Sequence, residues 1–288
     1  MLDTKDFNFF ESQSTFDFKG FALKLLGYWK WFVISLVITF LVAYNINIRK
    51  EKIFGLDASI VVKDENNSFF TSNTSLVFNW GGVSDKVQTV ITTLKSRSHN
   101  EQVVGKLEYY INYFKQGKYY LKDVYGETPF YINLDKNKGQ VLMLPLTIKF
   151  VSPTEFELFA DFKERPNVQL CHYIDDTRSN YKTYEKQFKA KFKINQQINL
   201  PFANFSLHIN PDADNYVGSE YLIRFDDFNE TVARYKSIDV SVDVKAQSVV
   251  ILQLQGTNKN RLVEYLNETV EVLKDKQLDS KNKFATNT

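Results

Sequence analysis

One long, mostly apolar segment stands out in the pattern of hydrophobic and polar positions along the chain. Residues 31–48 carry no charge, and Lys30 and Arg49 flank them. At about 1.5 Å of rise per residue, a helix of this length measures about 27 Å, close to the hydrocarbon thickness of a bilayer. A buried core helix would show a polar stripe, and this segment shows none. The pattern predicts a transmembrane helix over residues 20–48, with an amphipathic lead-in at its start.

Aromatic residues lie near both ends of this segment, where a membrane-spanning helix meets the lipid headgroups. A cleaved signal peptide and a fully buried soluble helix remain open as alternatives. Cleavage is disfavoured because about thirty residues of mixed charge come first and Ala43-Tyr44-Asn45 is a poor cleavage site. Basic residues flank both ends equally, so charge does not decide the orientation. The residues predicted to contact lipid are Trp29, Trp31, Phe32, Ile34, Leu36, Phe40 and Tyr44.

After the apolar segment, the spacing of hydrophobic residues is first typical of a strand and then typical of helices. Residues 56–63 have the length and the β-branched content of a strand, and residues 65–82 form a predicted loop. Residues 85–94 place apolar side chains at helical spacing. Ser98 is predicted to cap a second helix that runs through Leu107. The two segments predict a helical pair.

Short aromatic and β-branched runs, separated by turns, fill the middle of the chain and predict an antiparallel sheet. The predicted strands are 119–124, 130–134, 146–151, 156–160, 189–194 and 221–225. A short helix at 229–236 and strands at 238–244 and 249–254 follow. Asn258 is predicted to cap a helix with an apolar face of Leu262, Tyr265, Leu266, Val270 and Leu273. Helices packed beside an antiparallel sheet predict an α+β fold.

These elements predict four parts of the chain. They are an N-terminal segment (1–19), the transmembrane helix with its lead-in (20–48), an α+β domain (49–257) and the start of a long helix (258–288). Neither a glycine cap nor a proline stop ends the last helix. The sequence therefore favours a helix that is truncated at residue 288.

Charge and cysteine content narrow the function classes. The first 50 residues hold six of the 36 Lys and Arg and four of the 34 Asp and Glu, so 30 of each remain for residues 51–288. A nucleic-acid-binding domain usually has a basic excess on one face, so nucleic acid is not an expected partner. Cys171 is the single cysteine, which excludes an intramolecular disulfide and is expected to be a small buried side chain.

Motifs for catalysis or cofactor binding are missing from the sequence. No GxxxxGK[ST] phosphate-binding loop occurs, and the three histidines lack the spacing of metal ligands. The adjacent carboxylates Asp175-Asp176 and Asp226-Asp227 fall in loops or at strand ends, which makes them poor acid/base pairs. We predict no enzyme activity, no cofactor and no metal for this chain.

Two groups of residues are candidates for an interaction surface. Lys95 and Arg97 are candidates to meet acidic groups of a neighbouring subunit or an anionic polymer, and solvated helix charges are the alternative. Tyr109, Tyr113 and Tyr119 belong to a tyrosine-rich stretch that offers stacking platforms for a sugar polymer. Tyrosine is also a common strand residue, so a structural role stays open for these three.

Several segments, in their order along the chain, resemble one known family. They are the N-terminal apolar helix, the strand at 56–65, the stretches 94–98 and 103–107, Tyr125-Gly126-Glu127-Thr128-Pro129-Phe130, the strands around 249–256 and the tail at 281–288. The chain resembles the bacterial polysaccharide co-polymerases, the chain-length determinant (Wzz-type) proteins. The likeness is greatest to the membrane and periplasmic part of the exopolysaccharide tyrosine autokinases, and it covers roughly residues 16–288.

The resemblance implies a bacterial inner-membrane protein with a short cytoplasmic N-terminus and a periplasmic α+β domain. It implies a non-catalytic homo-oligomer beside the polysaccharide polymerase and export machinery, which helps to set the length of a surface or capsular polysaccharide. The bilayer and the polysaccharide are the other implied partners. In that family a second membrane span follows the last helix, and a cytoplasmic ATP-binding domain follows in the kinase branch.

Two other functions remain open from the sequence. A membrane-anchored periplasmic sensor or ligand-binding module also fits a single anchor followed by an aromatic-rich sheet. An enzyme of an unrecognised type is the third hypothesis, and only the clefts that such a sheet can form motivate it.

Overall fold

The computed structural model describes residues 27–62 and 85–286, together with Gly20 and Lys24, and its side chains beyond residue 279 are described only at Asn282. The predicted N-terminal segment, most of the amphipathic lead-in and the loop at 65–82 lie outside the described residues. The chain forms two compact units, residues 1–50 and residues 51–288.

Helix α1, Trp29–Ile48, makes up most of the described part of the first unit. None of its residues is buried, and its apolar side chains lie on all sides of the helix axis. By length and composition α1 is able to cross a membrane. The helix predicted over 20–48 is therefore confirmed from Trp29 onward.

The second unit contains a small antiparallel sheet with four helices beside it. The strand order is β1-β15-β14, with β1 at Phe54–Val61, β14 at Asp239–Val242 and β15 at Val249–Gly256. Buried and exposed side chains alternate along β15, as expected for a sheet with one face against the core. The helices are α2 (Asp85–Lys95), α3 (Arg97–Leu107), α4 (Phe228–Lys236) and α5 (Lys259–Thr286).

A β-rich region fills the chain between α3 and α4. Its largest sheet has six strands in the order β10-β7-β6-β13-β2-β3, and two three-stranded sheets have the orders β11-β12-β4 and β5-β8-β9. Every strand pair within these sheets is antiparallel. The strands are β2 (Ile111–Gln116), β3 (Leu121–Asp123), β4 (Phe130–Leu134), β5 (Gln140–Val141), β6 (Leu146–Phe150), β7 (Glu155–Asp161), β8 (Asn167–His172), β9 (Thr177–Lys182), β10 (Gln187–Lys193), β11 (Gln197–Asn199), β12 (Asn204–Ile209) and β13 (Glu220–Phe225).

Aromatic side chains fill much of the core of this region. Phe130, Phe150, Phe156, Phe205 and Phe225 are all fully buried. The rings of Phe130 and Phe150 meet edge to face, with centroids 5.5 Å apart. Mixed helix and antiparallel sheet agree with the predicted α+β class.

The cap predicted at Ser98 is wrong. Helix α3 begins at Arg97, and the side chain of Ser96 accepts a hydrogen bond from the N–H of His99 at 3.2 Å. Asn100 fixes the start of α3 at this position, because its Nδ2 donates to the carbonyl of Leu94 at 2.9 Å and to the carbonyl of Ser96 at 2.8 Å. These bonds satisfy the last carbonyls of α2 and close the turn into α3.

Some of the strands that were not predicted from the sequence lack an alternating pattern of buried and exposed residues. In β2 the first three residues are all buried, and β9 is a polar edge strand whose residues are mostly exposed. Both patterns differ from the half-buried strand that periodicity detects. The strand predicted at 119–124 is shorter, at Leu121–Asp123.

Candidate functional site

A cavity of about 410 Å³ in the second unit is the candidate functional site. It lies between the sheet β1-β15-β14 and one end of the six-stranded sheet, beside the last residues of α4 and the first turn of α5. Its floor contains the buried residues Asn112 and Arg261 and the partly buried Asp123, and its exposed rim contains Arg234, Asp239, Gln253 and Gln255.

The first turn of α5 is fixed to the β-rich region by its capping residue. The Oδ1 of Asn258 accepts from the N–H of Arg261 at 3.1 Å, as the predicted cap requires. The Nδ2 of Asn258 donates to the carbonyls of Asp123 at 3.1 Å and Tyr125 at 3.0 Å. The same amide therefore starts the helix and holds it against the end of β3, which directs the side chain of Arg261 toward β2 and β3.

The guanidinium of Arg261 is enclosed by hydrogen-bond acceptors. Its Nε donates to Oδ2 of Asp123 at 3.1 Å, and its Nη2 donates to the carbonyl of Ile111 at 3.0 Å and to Oδ1 of Asn112 at 3.2 Å. Its Nη1 donates to the carbonyl of Tyr109 at 3.3 Å. Burial is the largest single influence and lowers the pKa of Arg261, but Asp123 together with the tyrosines Tyr235, Tyr109 and Tyr125 raises the pKa overall. Arg261 is thus a permanent cation, matched by one carboxylate.

Two neighbouring tyrosine rings, in edge-to-face contact with each other, pack against the guanidinium of Arg261. The Cζ of Arg261 lies 4.4 Å from the ring centroid of Tyr125 and 5.0 Å from that of Tyr109. These are cation–π distances, and such contacts are strongest where water is excluded. The hydroxyl of Tyr109 donates to the carbonyl of Arg261 at 2.7 Å. Burial raises the pKa of both phenols, so they stay neutral and act as packing and hydrogen-bonding groups.

Asn112 is a cavity residue with an incomplete set of hydrogen bonds. Its side chain is only 5% exposed, its Oδ1 accepts from Arg261, and its Nδ2 has no hydrogen-bond partner among the described residues. A buried donor without a partner costs about 1–3 kcal/mol. Such a group in the wall of a cavity indicates a hydrogen bond that a ligand can complete.

The rim of the cavity is polar and exposed. Alternation along β15 turns Gln253 and Gln255 away from the core, and Asp239 on β14 lies opposite Gln253 in the strand register. Arg234, near the end of α4, is also exposed. Each glutamine amide offers both donors and an acceptor. The rim is therefore able to hydrogen-bond a polar ligand from several directions.

The chemistry of the cavity is suited to binding. Across the described ranges 27–62 and 85–286, no group of three or more His, Cys, Asp and Glu residues is arranged to hold a metal ion. The groups on the floor are amides and a matched ion pair, which orient a polar ligand inside a concave site.

The predicted interaction residues Lys95 and Arg97 lie on the surface, and neither lines the cavity. Lys95 is exposed at the end of α2. Arg97 is exposed at the start of α3, where its Nε donates to Oε1 of Glu101 at 2.6 Å and its Nη2 contacts Oδ1 of Asn229 on α4. An exposed pair of this i,i+4 type contributes about 0.3–0.5 kcal/mol.

The structure corrects the surface role predicted for Tyr109 and Tyr113, which are 1% and 7% exposed. The hydroxyl of Tyr113 accepts from the N–H of Ile132 at 3.1 Å, and burial raises the pKa of Tyr113 to about 12. Both rings pack in the core because they lie at the inward-facing start of the β-rich region. Tyr119 differs, since it is 45% exposed and the Nζ of Lys118 lies 5.2 Å from its ring centroid.

The residues predicted to contact lipid all lie on α1, and none of them is buried. Their exposed fractions run from 49% at Ile34 to 70% at Leu36. The rings of Phe40 and Tyr44 are stacked with centroids 6.5 Å apart. A helix that is apolar all round requires either a protein core or a bilayer around it.

The carboxylates Asp226 and Asp227 form a second polar cluster, and both are bound by structural partners. Arg224 donates to both oxygens of Asp226, at 2.6 Å and 3.0 Å. Asp227 caps α4 by accepting from the N–H of Glu230 at 2.9 Å, and it also pairs with Arg178. Both carboxylates are thus held by partners that stabilise the fold.

The residues on the cavity floor are not among those predicted from the sequence. Arg261 carries a detectable signal, because it is a charged residue beside Leu262 on the apolar face of α5, one turn after the cap. Asp123 and Asn112 carry none, since each is separated from Arg261 by more than a hundred residues of chain. Only the tertiary fold brings the three together.

A comparison with protein-family models and with curated proteins finds no match to this chain. The fold and the site define an α+β domain with a polar binding cavity, preceded in the chain by a helix that is able to span a membrane. These features are the basis on which a function is inferred.

Proposed function

We propose that this chain is a membrane-anchored, non-catalytic polysaccharide co-polymerase. In this proposal α1 crosses a bacterial inner membrane, residues 1–19 lie in the cytoplasm and the α+β domain lies in the periplasm. Copies of the chain assemble beside the polysaccharide polymerase and export machinery. The assembly helps to set the chain length of a surface or capsular polysaccharide and assists its export.

The observation that carries this proposal is the exposure of α1. Residues 31–48 contain no charge, and every large apolar side chain of the helix before Ile48 is exposed. In water such a surface is unfavourable at about 25 cal/mol for each Å² of apolar area. A bilayer covers it, and the length of the helix matches the hydrocarbon core.

Two further features support the co-polymerase assignment over other anchored domains. The segments that resemble this family keep their order along the chain, from the apolar helix to the strands around 249–256. The second unit carries equal numbers of acidic and basic residues, and the buried carboxylates described above are held in ion pairs. A domain of this kind acts by assembly, for which symmetric self-contact is the usual route.

The helical face gives this assembly a candidate surface. Lys95 and Arg97 are exposed at the junction of α2 and α3, and Glu101 is near them. Charges at the rim of an interface steer association and fix its geometry. In the proposal these residues meet a neighbouring subunit, with the anionic polymer as the other partner.

Deletion of the gene tests the proposal directly. We expect the length distribution of the surface polysaccharide to change on deletion and to return when the full-length protein is supplied again. A variant with two charges in the anchor, Ile38→Arg with Leu41→Arg, should fail to restore it, whereas Ile38→Leu with Leu41→Ile should succeed. An unchanged polysaccharide profile after deletion contradicts the proposal.

A reporter fusion tests the orientation separately. Alkaline phosphatase, which is active only outside the cytoplasm, is fused after residue 257. We expect an active fusion, and an inactive phosphatase together with a fluorescent cytoplasmic reporter at the same site contradicts a periplasmic domain.

A membrane-anchored sensor or ligand-binding module is the second candidate, because the domain contains a cavity with an unsatisfied buried donor. Saturable binding of a ligand together with an unchanged polysaccharide profile favours this function over the first.

A further inference from the structure

The cavity beside Arg261 is built from residues that are far apart in the sequence. Asn112 comes from β2, Asp123 from β3, Asp239 from β14 and Arg261 from α5. The floor residues Asn112 and Arg261 are each about 95% buried. Such a site is held rigidly by the fold, which favours binding of a specific shape.

The hydrogen-bonding groups of the cavity favour a ligand with many hydroxyls. The Nδ2 of Asn112 is a buried donor without a partner among the described residues. Gln253 and Gln255 add donors and acceptors at the rim, and Asp239 adds acceptors. A hydroxyl both donates and accepts, so a group of neighbouring hydroxyls is able to use this mixed set.

The charges of the cavity disfavour an anion. Arg261 is already bound by Asp123 at 3.1 Å, and the Nη2 of Arg234 lies 3.6 Å from Oδ2 of Asp226. A phosphate or carboxylate ligand would have to displace a carboxylate and would also meet Asp239. The matched charges therefore favour an uncharged ligand.

The size and wall of the cavity fit the same class. A volume of about 410 Å³ lies within the usual range for small-ligand sites and accommodates roughly one or two sugar rings. Tyr235 closes one side of the cavity, because its ring is only 9% exposed and stacks on Tyr265.

We infer that this cavity binds an uncharged saccharide unit. The choice of a saccharide among polyhydroxylated ligands rests on the proposed function, in which the domain works beside a growing polysaccharide. Asn112 on the floor and the two rim glutamines hydrogen-bond the sugar hydroxyls. The site thus gives the domain a direct contact with the polymer whose length it helps to set.

The test uses the full-length chain in lipid nanodiscs. The first probes are defined neutral gluco-, manno- and galacto-oligosaccharides. The second are oligosaccharides of about two to six units released from the polymer of the producing cell, a length that covers the roughly one or two sugar rings that the cavity accommodates. Inorganic phosphate is the anionic probe. Calorimetry gives the affinity, and the side-chain amide signal of Asn112 in NMR spectra reports the location. We expect saturable binding of at least one oligosaccharide with a shift of that signal, and no competition by phosphate.

Variants separate this cavity from the rest of the surface. Gln253→Ala with Gln255→Ala removes two exposed amides without touching the core, and we expect at least a tenfold loss of affinity, equivalent to about 1.4 kcal/mol. The matched control is Gln197→Ala, which changes an exposed strand glutamine in β11 outside the cavity and should leave the affinity unchanged.

Three outcomes overturn the inference: no saturable binding by any oligosaccharide, binding that the paired glutamine variant leaves unchanged, or displacement of the sugar by phosphate. A failure here is distinguishable from a failure of the proposed function. If deletion alters polysaccharide length but no oligosaccharide binds, the co-polymerase proposal stands and the saccharide site falls. If oligosaccharides bind in the cavity but deletion leaves the polysaccharide unchanged, the saccharide site stands and the co-polymerase proposal falls.

Discussion

Helices α1 and α5 are both long, with 20 and 28 residues, but they differ in how their apolar residues are distributed. Helix α1 has apolar side chains on every side and buries none of them. Helix α5 concentrates its apolar residues on one face, where Leu262, Tyr265, Leu266, Val272 and Leu273 are buried. Helix α1 thus differs from α5 both in its higher apolar content and in the distribution of its apolar residues around the axis, as expected for a helix able to cross a membrane and a helix that packs on a protein core.

The two helices also begin differently. Tyr28 precedes α1 without a side-chain hydrogen bond to its first turn. At the start of α5, Asn258 caps the helix and Arg261 binds Asp123. Helix α1 thus begins without a side-chain cap, whereas the first turn of α5 is fixed by a cap and by a matched charge.

The largest expected effect comes from charging α1. Its eleven Leu, Ile, Val and Phe residues favour insertion by about 5 kcal/mol in total, whereas each Arg near the centre costs about 2.5–3.5 kcal/mol. Ile38→Arg with Leu41→Arg should therefore abolish stable insertion. The measurement is the fraction of the protein that stays with membranes after an alkaline carbonate wash.

The matched control places the same charges on α5. Val263 and Leu278 are exposed apolar residues of that helix, so Val263→Arg with Leu278→Arg should leave the membrane-bound fraction unchanged. Retention of the doubly charged α1 variant in the washed membranes would contradict the assignment of α1 as the anchor.

The next effect concerns volume inside α5. The ring of Tyr265 is fully buried, stacks on Tyr235 with centroids 4.6 Å apart and hydrogen-bonds Asn100. Tyr265→Ala should lower the free energy of unfolding of the domain by about 3–5 kcal/mol, as for other large-to-small core changes. Urea unfolding of the detergent-solubilised protein, followed by circular dichroism, gives the value.

Phe40→Ala in α1 is the control for this experiment, because Phe40 is 66% exposed on α1. We expect a change within about 0.5 kcal/mol in the unfolding of the α+β domain. Equal destabilisation by the two changes would show that the contrast between the helices is wrong.

The same contrast explains how much of the fold is predictable from the sequence. Helices α2, α4 and α5 and the strands β1, β13 and β15 are recognised because their side chains follow one period. Helix α1 is recognised because residues 31–48 form an uncharged, mostly apolar run long enough to span a bilayer. The cap at Asn258 is recognised because capping is local, within one turn of a helix. Most of the helices and strands are thus predictable from local sequence patterns.

Features that depend on distant contacts are not predictable in this way. The sequence predicts Ser98 as the cap of α3, whereas the hydrogen bonds of Asn100 place the cap at Ser96. Tyr109 and Tyr113 belong to a tyrosine-rich stretch that is also typical of an exposed stacking surface. Only the packing of the folded domain shows that both are buried. The cavity floor depends on contacts between residues more than a hundred positions apart, which no local pattern contains.

The third prediction tests the ion pair at the start of α5. Arg261→Met leaves the carboxylate of Asp123 without its partner, and breaking a buried pair in this way costs about 3–5 kcal/mol. Arg261→Met with Asp123→Asn should recover part of the loss, because no unmatched charge remains. Arg97→Met, at an exposed pair with Glu101, should cost no more than about 0.5 kcal/mol. Urea unfolding of the four proteins checks these values, and a double variant less stable than Arg261→Met contradicts the charge argument.

The smallest effect is a dependence on pH where α3 packs against α5. His99 is fully buried, and burial, with a smaller contribution from Lys276, lowers its pKa from 6.5 to about 4. Between pH 6.5 and 5 the unfolded chain therefore takes up a proton at His99 and the folded domain does not, so stability falls with falling pH by about 2 kcal/mol at most. His99→Leu removes this contribution and should give a flatter pH profile in urea unfolding over the same interval, while the carboxylates contribute equally to both proteins. Parallel profiles would mean that His99 already ionises in the folded domain, and the packing of α3 against α5 would then be looser than the buried face of α5 indicates.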